Sequence, residues 1–428
     1  MTSTTIRPRT IAALAVTVAM ALALPACGSS GSSSPSSSSA SGSGVPGTAE
    51  VQTAMTQLTS DGKVPGVIAV IQTPDQTSVV TEGKADLASG AAMTPSASTR
   101  IASISKAFNG AVVLSLVSQG KLSLDSKLAT LLPTAPASWG QVNLGQILQH
   151  TSGLPDYIKS PAFIEQFVKD PKASKTPEQL LTFVADQPPA FPPGSQYLYS
   201  DTDNIVAGLV AEKASGKPYN TLLQDLVFAP LSLKSTSLPD TVALPDGFIH
   251  GYAPAEETNT ASPAPSVSAG PEDVSQVINP TQAWASGGMI STTADMNTFM
   301  RGYVAGKLFS PGVRQAQMQF VPGGGGPPGP GTNSSGLSIY RYETPCGTFF
   351  GHTGNMPGYT VFAASDATGQ RSVAVTANTQ MTPKGDQATF DKLLAVQNAA
   401  LCSANGGSAS PSTAPVSPAS PGASGSSS

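Results

Sequence analysis

Charge is scarce in this 428-residue chain: only 11% of residues are Asp, Glu, Lys or Arg, and 22 basic against 26 acidic side chains leave a formal net charge of −4. With no basic field to hold a phosphate backbone, no nucleic-acid partner is expected. Cysteine and histidine are scarcer, three of each, and none falls in a Cys-x-x-Cys or His-x-x-x-His pattern. That leaves little material for a zinc site, and neither a metal nor a cofactor is expected. The body of the chain also lacks a Gly-x-Ser-x-Gly elbow, a His-Glu-x-x-His pair and a Walker loop. An elbow-type Ser-His-Asp hydrolase is thereby disfavoured.

What is present is a globular middle between two biased ends. Arg7 and Arg9 precede the apolar run Ile11 to Leu24, broken only by Thr17, and Leu24-Pro25-Ala26-Cys27-Gly28 follows. This reads as a secretory signal over residues 1–26. Its end resembles the bacterial lipobox, which implies that Cys27 is acylated, becomes the mature N-terminus and anchors the protein extracytoplasmically to the cell membrane. Loss of the signal removes two arginines and no acids, moving the charge from −4 to −6. Residues 27–47 and 403–428, nearly all Ser, Gly, Pro and Ala, cannot bury enough apolar surface to order themselves and read as a tether and a tail. Residues 48–402 form the folded body. Export favours cysteine pairing, and with Cys27 lipidated, Cys346 and Cys402 remain for a disulfide. Closing that loop would stabilise the fold by roughly 4 kcal/mol in the chain-entropy model.

Within the body, Val51, Met55 and Leu58 recur at helical spacing, and Val67 to Ile71 and Ser78 to Thr81 read as a strand pair around Thr73-Pro74-Asp75. Phe108, Val112, Leu116 and Val117 predict a helix over Ser103 to Gln119, and further helices are predicted from Gln179 to Ala185 and through Val206, Leu209 and Val210 to near Gly216. After the Gly/Pro run Gly323 to Gly331, which reads as a loop, strands return at Thr348 to Gly351, Tyr359 to Ala364 and Arg371 to Ala377, and Phe390 to Leu401 closes as a helix. The predicted fold is α+β: an antiparallel sheet built from both chain ends and flanked by helices, with an inserted, mainly helical sub-domain.

Ser-x-x-Lys, the spacing at which a lysine amine one helical turn along can take a serine proton, occurs three times. In Ser60 to Lys63 and Ser118 to Lys121 a glycine just before the lysine ends a helix, so the two side chains diverge. Ser103-Ile104-Ser105-Lys106 instead opens a helix, placing both side chains on one face beside a positive helix end.

Two later segments, Tyr199-Ser200-Asp201 before a helix and His352-Thr353-Gly354-Asn355 on a strand, complete a pattern. The body resembles the penicillin-recognising serine hydrolases: class C β-lactamases, serine D-alanyl-D-alanine carboxypeptidases and related esterases. It is most similar to the secreted actinobacterial carboxypeptidase type. Their Ser-x-x-Lys, Tyr-x-Asn and Lys/His-Thr-Gly motifs appear here in order, with support from Leu148 to Pro155, Gly120 to Asp125 and Trp284 to Gly288. The carboxypeptidase type also has cysteines where Cys346 and Cys402 stand.

The resemblance implies a β-lactamase-like fold and an acyl-enzyme on Ser103. Lys106 and Tyr199 would share proton transfer, and the amides of Ser103 and Asn355 would form the oxyanion hole. His352 and Thr353 would edge the site and meet a substrate carboxylate. Gly354 belongs to the same motif, Trp284 would line the pocket, and Arg341 is a candidate for carboxylate binding. His150 is expected to be structural and His250 a loop residue. The implied substrates are cell-wall peptide termini or small esters, with carboxylesterase, β-lactamase or a catalytically weak binding lipoprotein as alternatives. One position departs: Asp201 stands where the family has asparagine, and a carboxylate can only accept hydrogen bonds. Beside Lys106 it would also favour the charged amine.

Overall fold

The structure, a computed structural model, describes residues 45–253, 271–322 and 327–407. The expected signal, Cys27 and most of the tether and tail lie outside them. Helix α1 (Thr48–Thr59) buries Val51, Met55 and Leu58, as their spacing requires. The apolar run of β1 (Gly66–Gln72) is covered on both faces, and β2 (Thr77–Gly83) returns beside it. The other neighbour of β1 comes from the far end of the chain. After residue 320 follow β3 (Val321–Pro322), β4 (Thr332–Ser335), β5 (Tyr340–Thr344), β6 (Gly347–Met356), β7 (Tyr359–Ser365) and β8 (Ser372–Ala377). All eight join one sheet in the order β2-β1-β8-β7-β6-β5-β4-β3, each pair antiparallel, with Val67 opposite Ala377 where the two chain ends meet.

Between the halves of this sheet lies the helical insertion, with α2 (Ser105–Ser118), α3 (Pro161–Lys169), α4 (Asp201–Ser215), the short α5 (Trp284–Gly287) and α6 (Thr293–Val304). A last helix, α7 (Gln387–Ala404), packs with α1 on one face of the sheet, where Met55, Leu58, Phe390 and Val396 meet Ala69, Ile71 and Val375. The opposite face buries Val361, Ala363 and Ala374 against the insertion, through Phe108, Val112 and Phe299. No described helix is long and apolar enough to cross a membrane.

The expected architecture is present, with local differences. The helix predicted from Ser103 begins as a 3-10 turn, Ala102–Ile104, before α2. The helix expected over Gln179 to Ala185 is Pro177–Thr182, opened by a capping box between Thr176 and Gln179. Strands β3 to β5 were not foreseen: the sequence of β4 is Thr-Asn-Ser-Ser, with no apolar alternation to betray a strand near the sheet edge. The glycine-rich run lies between β3 and β4, its residues 323–326 outside the described ones. Cys346, in the β5–β6 turn, is disulfide-bonded to Cys402 of α7, with Cα atoms 5.0 Å apart.

Candidate active site

The site starts where α2 starts. Lys106 lies one turn after Ser103, and its Nζ donates to Ser103 Oγ at 3.0 Å, to Asp201 Oδ1 at 2.6 Å and to the Ser286 carbonyl at 2.8 Å. The lysine is 1% exposed, so its charge is held by these acceptors and not by water. Asp201 comes from the first turn of α4, where a carboxylate also complements the helix dipole. Ser286 comes from α5. Ala102, directly before the nucleophile position, is forced to φ 45°. His150 and Trp284 share this left-handed strain at φ 57° and 37°. Such backbone costs about 1–3 kcal/mol per residue and persists only where the surroundings over-determine it. The other two Ser-x-x-Lys copies do not form such a pair. Gly62 and Gly120 are left-handed, Lys63 pairs with Asp386 at 2.7 Å, and Ser118 Oγ accepts the Ser310 amide at 2.9 Å.

Tyr199 lies under the Lys106 ammonium, 4.9 Å from Nζ to ring centroid, and its ring tilts against His150 at 4.6 Å. Its buried hydroxyl faces Ser103, and among the described residues no hydrogen bond of good geometry closes on it. Burial and the Asp201 charge push its pKa well above the ordinary phenol value, and the approach to Ser103 only partly opposes them. Tyr199 therefore carries its proton at neutral pH.

Behind it, His150 Nδ1 meets Asp203 at 2.8 Å, and Ser152 donates to the other Asp203 oxygen at 2.5 Å. Burial drives the imidazole down to about 3 and the Asp203 carboxyl well above its usual range. This buried pair braces the Tyr199 wall, the structural role expected for His150. Asp156 accepts the Asp201 amide at 3.1 Å and pairs with Lys159 at 3.0 Å, and burial, then the nearby Asp201 charge, raise it to about 6.

The facing wall is the free edge of β6. Its ladder to β5 ends at Gly351 opposite Tyr340, so residues beyond that point turn their edge toward Ser103. Gly354 fits there only as glycine: a Cβ would sit 2.3 Å from the Ile101 carbonyl oxygen and 3.2 Å from Ala102 Cβ. Thr353, Gly354 and Asn355 line the cleft with Ser103, Tyr199 and Asp201. The Asn355 side chain is tied back to the Met381 carbonyl at 2.7 Å, leaving its backbone beside the cleft. The cleft has two lobes of about 330 and 280 Å³ that share Ser103, Ile158, Asp201 and Asn355. No cluster of three or more His, Cys, Asp or Glu among the described residues is placed to hold a metal.

This geometry has relatives. The Beta-lactamase family model matches residues 51–397. The chain belongs to the beta-lactamase family. Members of that family are serine hydrolases. The chain is 26% identical over 208 residues to a beta-lactamase of Escherichia coli strain K12, covering 47% of this chain and 51% of that one. It is 26% identical over 200 residues to penicillin-binding protein 4 of Amycolatopsis lactamdurans, covering 45% and 50%. The matches thus span about half the length of these curated relatives. Among solved structures, a D-stereospecific amidohydrolase from Streptomyces sp. superposes with a TM-score of 0.68 at 28% identity, over 80% of this chain and 97% of that one. A D-amino acid amidase from Ochrobactrum anthropi SV3, complexed with L-phenylalanine, gives 0.71 at 25%, over 81% and 98%.

Within this beta-lactamase-family cleft, the structure brings Ser103, Lys106, Tyr199, Asp201, Thr353, Gly354 and Asn355 together. It places three expected residues elsewhere. Trp284 does not line the cleft; its ring packs on Tyr219 at 4.7 Å and fills the space above Gly208. Arg341 points to the far side of its strand, pairing with Glu343 at 3.1 Å and lying over the Phe320 ring, so it is not available to a carboxylate in the cleft. His352 is fully buried behind the β6 edge and lines neither lobe, its Nδ1 meeting the Thr353 carbonyl. His250 sits away from the site, paired with Asp273. Sequence reasoning named the Trp284 to Gly288 segment but not the Ser286 carbonyl as a partner of Lys106, and it missed the apolar wall of Ile158, Phe163, Ile164 and Phe167. The only signal for the latter was Phe-Ile-x-x-Phe-Val on a helix, which reads equally well as core.

Proposed function

We propose that this protein is a lipid-anchored, extracytoplasmic serine hydrolase that cleaves an ester or amide through an acyl-Ser103 intermediate, by the chemistry of the D-alanyl-D-alanine carboxypeptidases it resembles. The observation that carries this reading is the Lys106 amine 3.0 Å from Ser103 Oγ, with its other donors held by Asp201 and Ser286. Once one Nζ proton has passed to the Asp201 carboxylate, rotation of the neutral amine about its Cε–Nζ bond turns the lone pair to the serine hydroxyl and leaves the two remaining N–H groups to Asp201 and the Ser286 carbonyl. Ser103 Oγ then forms the bond to the substrate carbonyl carbon as its proton moves to Lys106.

The amides of Ser103 and Asn355 supply the oxyanion donors, a contribution of several kcal/mol to the transition state in such sites. As the bond to the leaving group breaks, Tyr199, protonated and without a settled partner, gives that group its proton and recovers one from Lys106. Water enters by the reverse path: its proton returns to Ser103 Oγ and the acid departs.

A fluorophosphonate probe tests this directly. The wild type should label at Ser103 in the membrane fraction, and Ser103→Ala should not label at all. Labelling that survives in Ser103→Ala removes the mechanism. In a Cys27→Ser chain the label should move to the medium or to an unprocessed form that keeps residues 1–26; label that stays in the membrane fraction on a processed chain removes the anchor.

A further inference from the structure

We propose that the cleft selects esters or primary amides of apolar α-amino acids with a free amino group, and excludes substrates whose leaving group bears a carboxylate. This rests on the acyl-Ser103 reading and narrows it. The first ground is what the cleft presents to charge. Among the described residues, no Lys, Arg or His side chain lines either lobe. Lys106 lies behind the surface with its three donors engaged, and Arg341 is turned away. The remaining internal segments, residues 254–270 and 323–326, contain no Lys, Arg or His. A peptide whose leaving group ends in a carboxylate would bring that charge into the cleft with no free cation to meet it, and a charge drawn out of water without a partner opposes binding.

The second ground is Asp201 itself. One oxygen binds Lys106, and among the described residues no protein group donates to the other; the side chain is 12% exposed at the junction of the two lobes. An acceptor there meets an acceptor if the substrate nitrogen is acylated, because the acyl carbonyl is brought against the carboxylate. It meets a donor if the nitrogen is a free ammonium.

The third ground is the larger lobe. Tyr157, Ile158, Phe163, Ile164, Phe167 and Met356 face it, and its roughly 330 Å³ is the scale of a single amino-acid side chain with room to move. Ile158 and Ile164 remain 40% and 48% exposed, apolar surface that a bound side chain would cover. The reaction balances simply: the aminoacyl carbon leaves its amide nitrogen or ester oxygen for Ser103 Oγ, the leaving group takes the serine proton, and water releases the free amino acid.

The test runs on the wild-type chain, after fluorophosphonate labelling has shown an active serine. Phenylalanine amide and leucine amide, in both enantiomers, are compared with their N-acetyl forms and with the dipeptides in which alanine replaces the amide nitrogen. In the preferred enantiomer, kcat/KM should favour the free amine over the N-acetyl form, and the amide over the dipeptide, each by about tenfold or more, the scale of one charge-assisted contact. Asp201→Asn should shrink the first ratio. Equal rates for free and acetylated amides, or for amide and dipeptide, overturn the substrate class while leaving the labelled serine standing. An unlabelled wild type overturns both readings.

Discussion

The two walls of the cleft are built of different things. The helical wall carries the ionisable groups: Lys106 from α2, Asp201 and Asp203 from the first turn of α4, and Asp156 from the loop before α3, all buried; hydrogen bonds tie Lys106 to Asp201 and the Asp201 amide to Asp156, while Asp203 is held by His150 and Ser152. The sheet wall carries none; Thr353, Gly354 and Asn355 present a strand edge whose position depends on the absence of a side chain at Gly354. Charge can be tuned only where a framework holds it still, and backbone can be shared among substrates only where it does not itself recognise them. The difference therefore separates chemistry and selection, on the helical side, from alignment, on the sheet side.

The largest effect that would break this division is on the helical side. Lys106→Met keeps the volume but removes the proton acceptor and leaves Asp201 buried without its partner. Turnover of an activated ester should fall about 10³-fold, within the usual range for loss of general base catalysis. A fall of less than tenfold would mean that proton transfer does not pass through the charged wall.

A smaller loss is expected from the sheet. Gly354→Ala puts a methyl group 2.3 Å from the Ile101 carbonyl, against backbone that can yield only by shifting the Ser103 turn. Overpacking of this kind costs about 1–3 kcal/mol, and a displacement near 1 Å at the nucleophile costs about 100-fold in rate. Because alignment is lost and recognition is not, kcat should drop while KM for the preferred amide stays within about threefold. A selective rise in KM would show that the strand edge selects substrate.

The same contrast explains what could be read from the chain alone. Ser103, Lys106, Tyr199 and Asp201 were legible because each pair lies within one turn or one short loop, where spacing determines geometry. The sheet joining the two chain ends was legible because β1 carries the unbroken apolar run Val67 to Ile71 and β8 is rich in valine and alanine, broken only by Ser372 and Thr376. Trp284 and Arg341 were misplaced because their partners, Gly208 and Tyr219 for one and Glu343 and Phe320 for the other, are settled by tertiary packing. The role of Ser286 was not foreseen, although its segment was named, because a carbonyl has no side-chain signature.

The last comparison sets two buried imidazoles against each other, one behind each wall. His150 meets the Asp203 carboxyl, whereas His352 donates from Nδ1 to the Thr353 carbonyl and leaves Nε2 buried without a partner among the described residues. Burial pushes His352 down to about 3, with the Lys106 charge acting the same way and the Thr353 carbonyl opposing. In the unfolded chain the imidazole returns to its usual value near 6.5. A depressed folded value means that the unfolded state binds the proton first, so this contribution is complete above pH 6.5 and is lost as pH falls toward 3. At pH 5 the loss from this one group is about 2 kcal/mol. His352→Gln removes it without touching His150 or Asp203, so guanidinium midpoints measured from pH 7.5 to pH 4.5 should fall less steeply for the variant than for the wild type. Parallel curves would mean that His352 is paired or hydrated, and that the sheet wall is not as free of charge chemistry as the structure makes it.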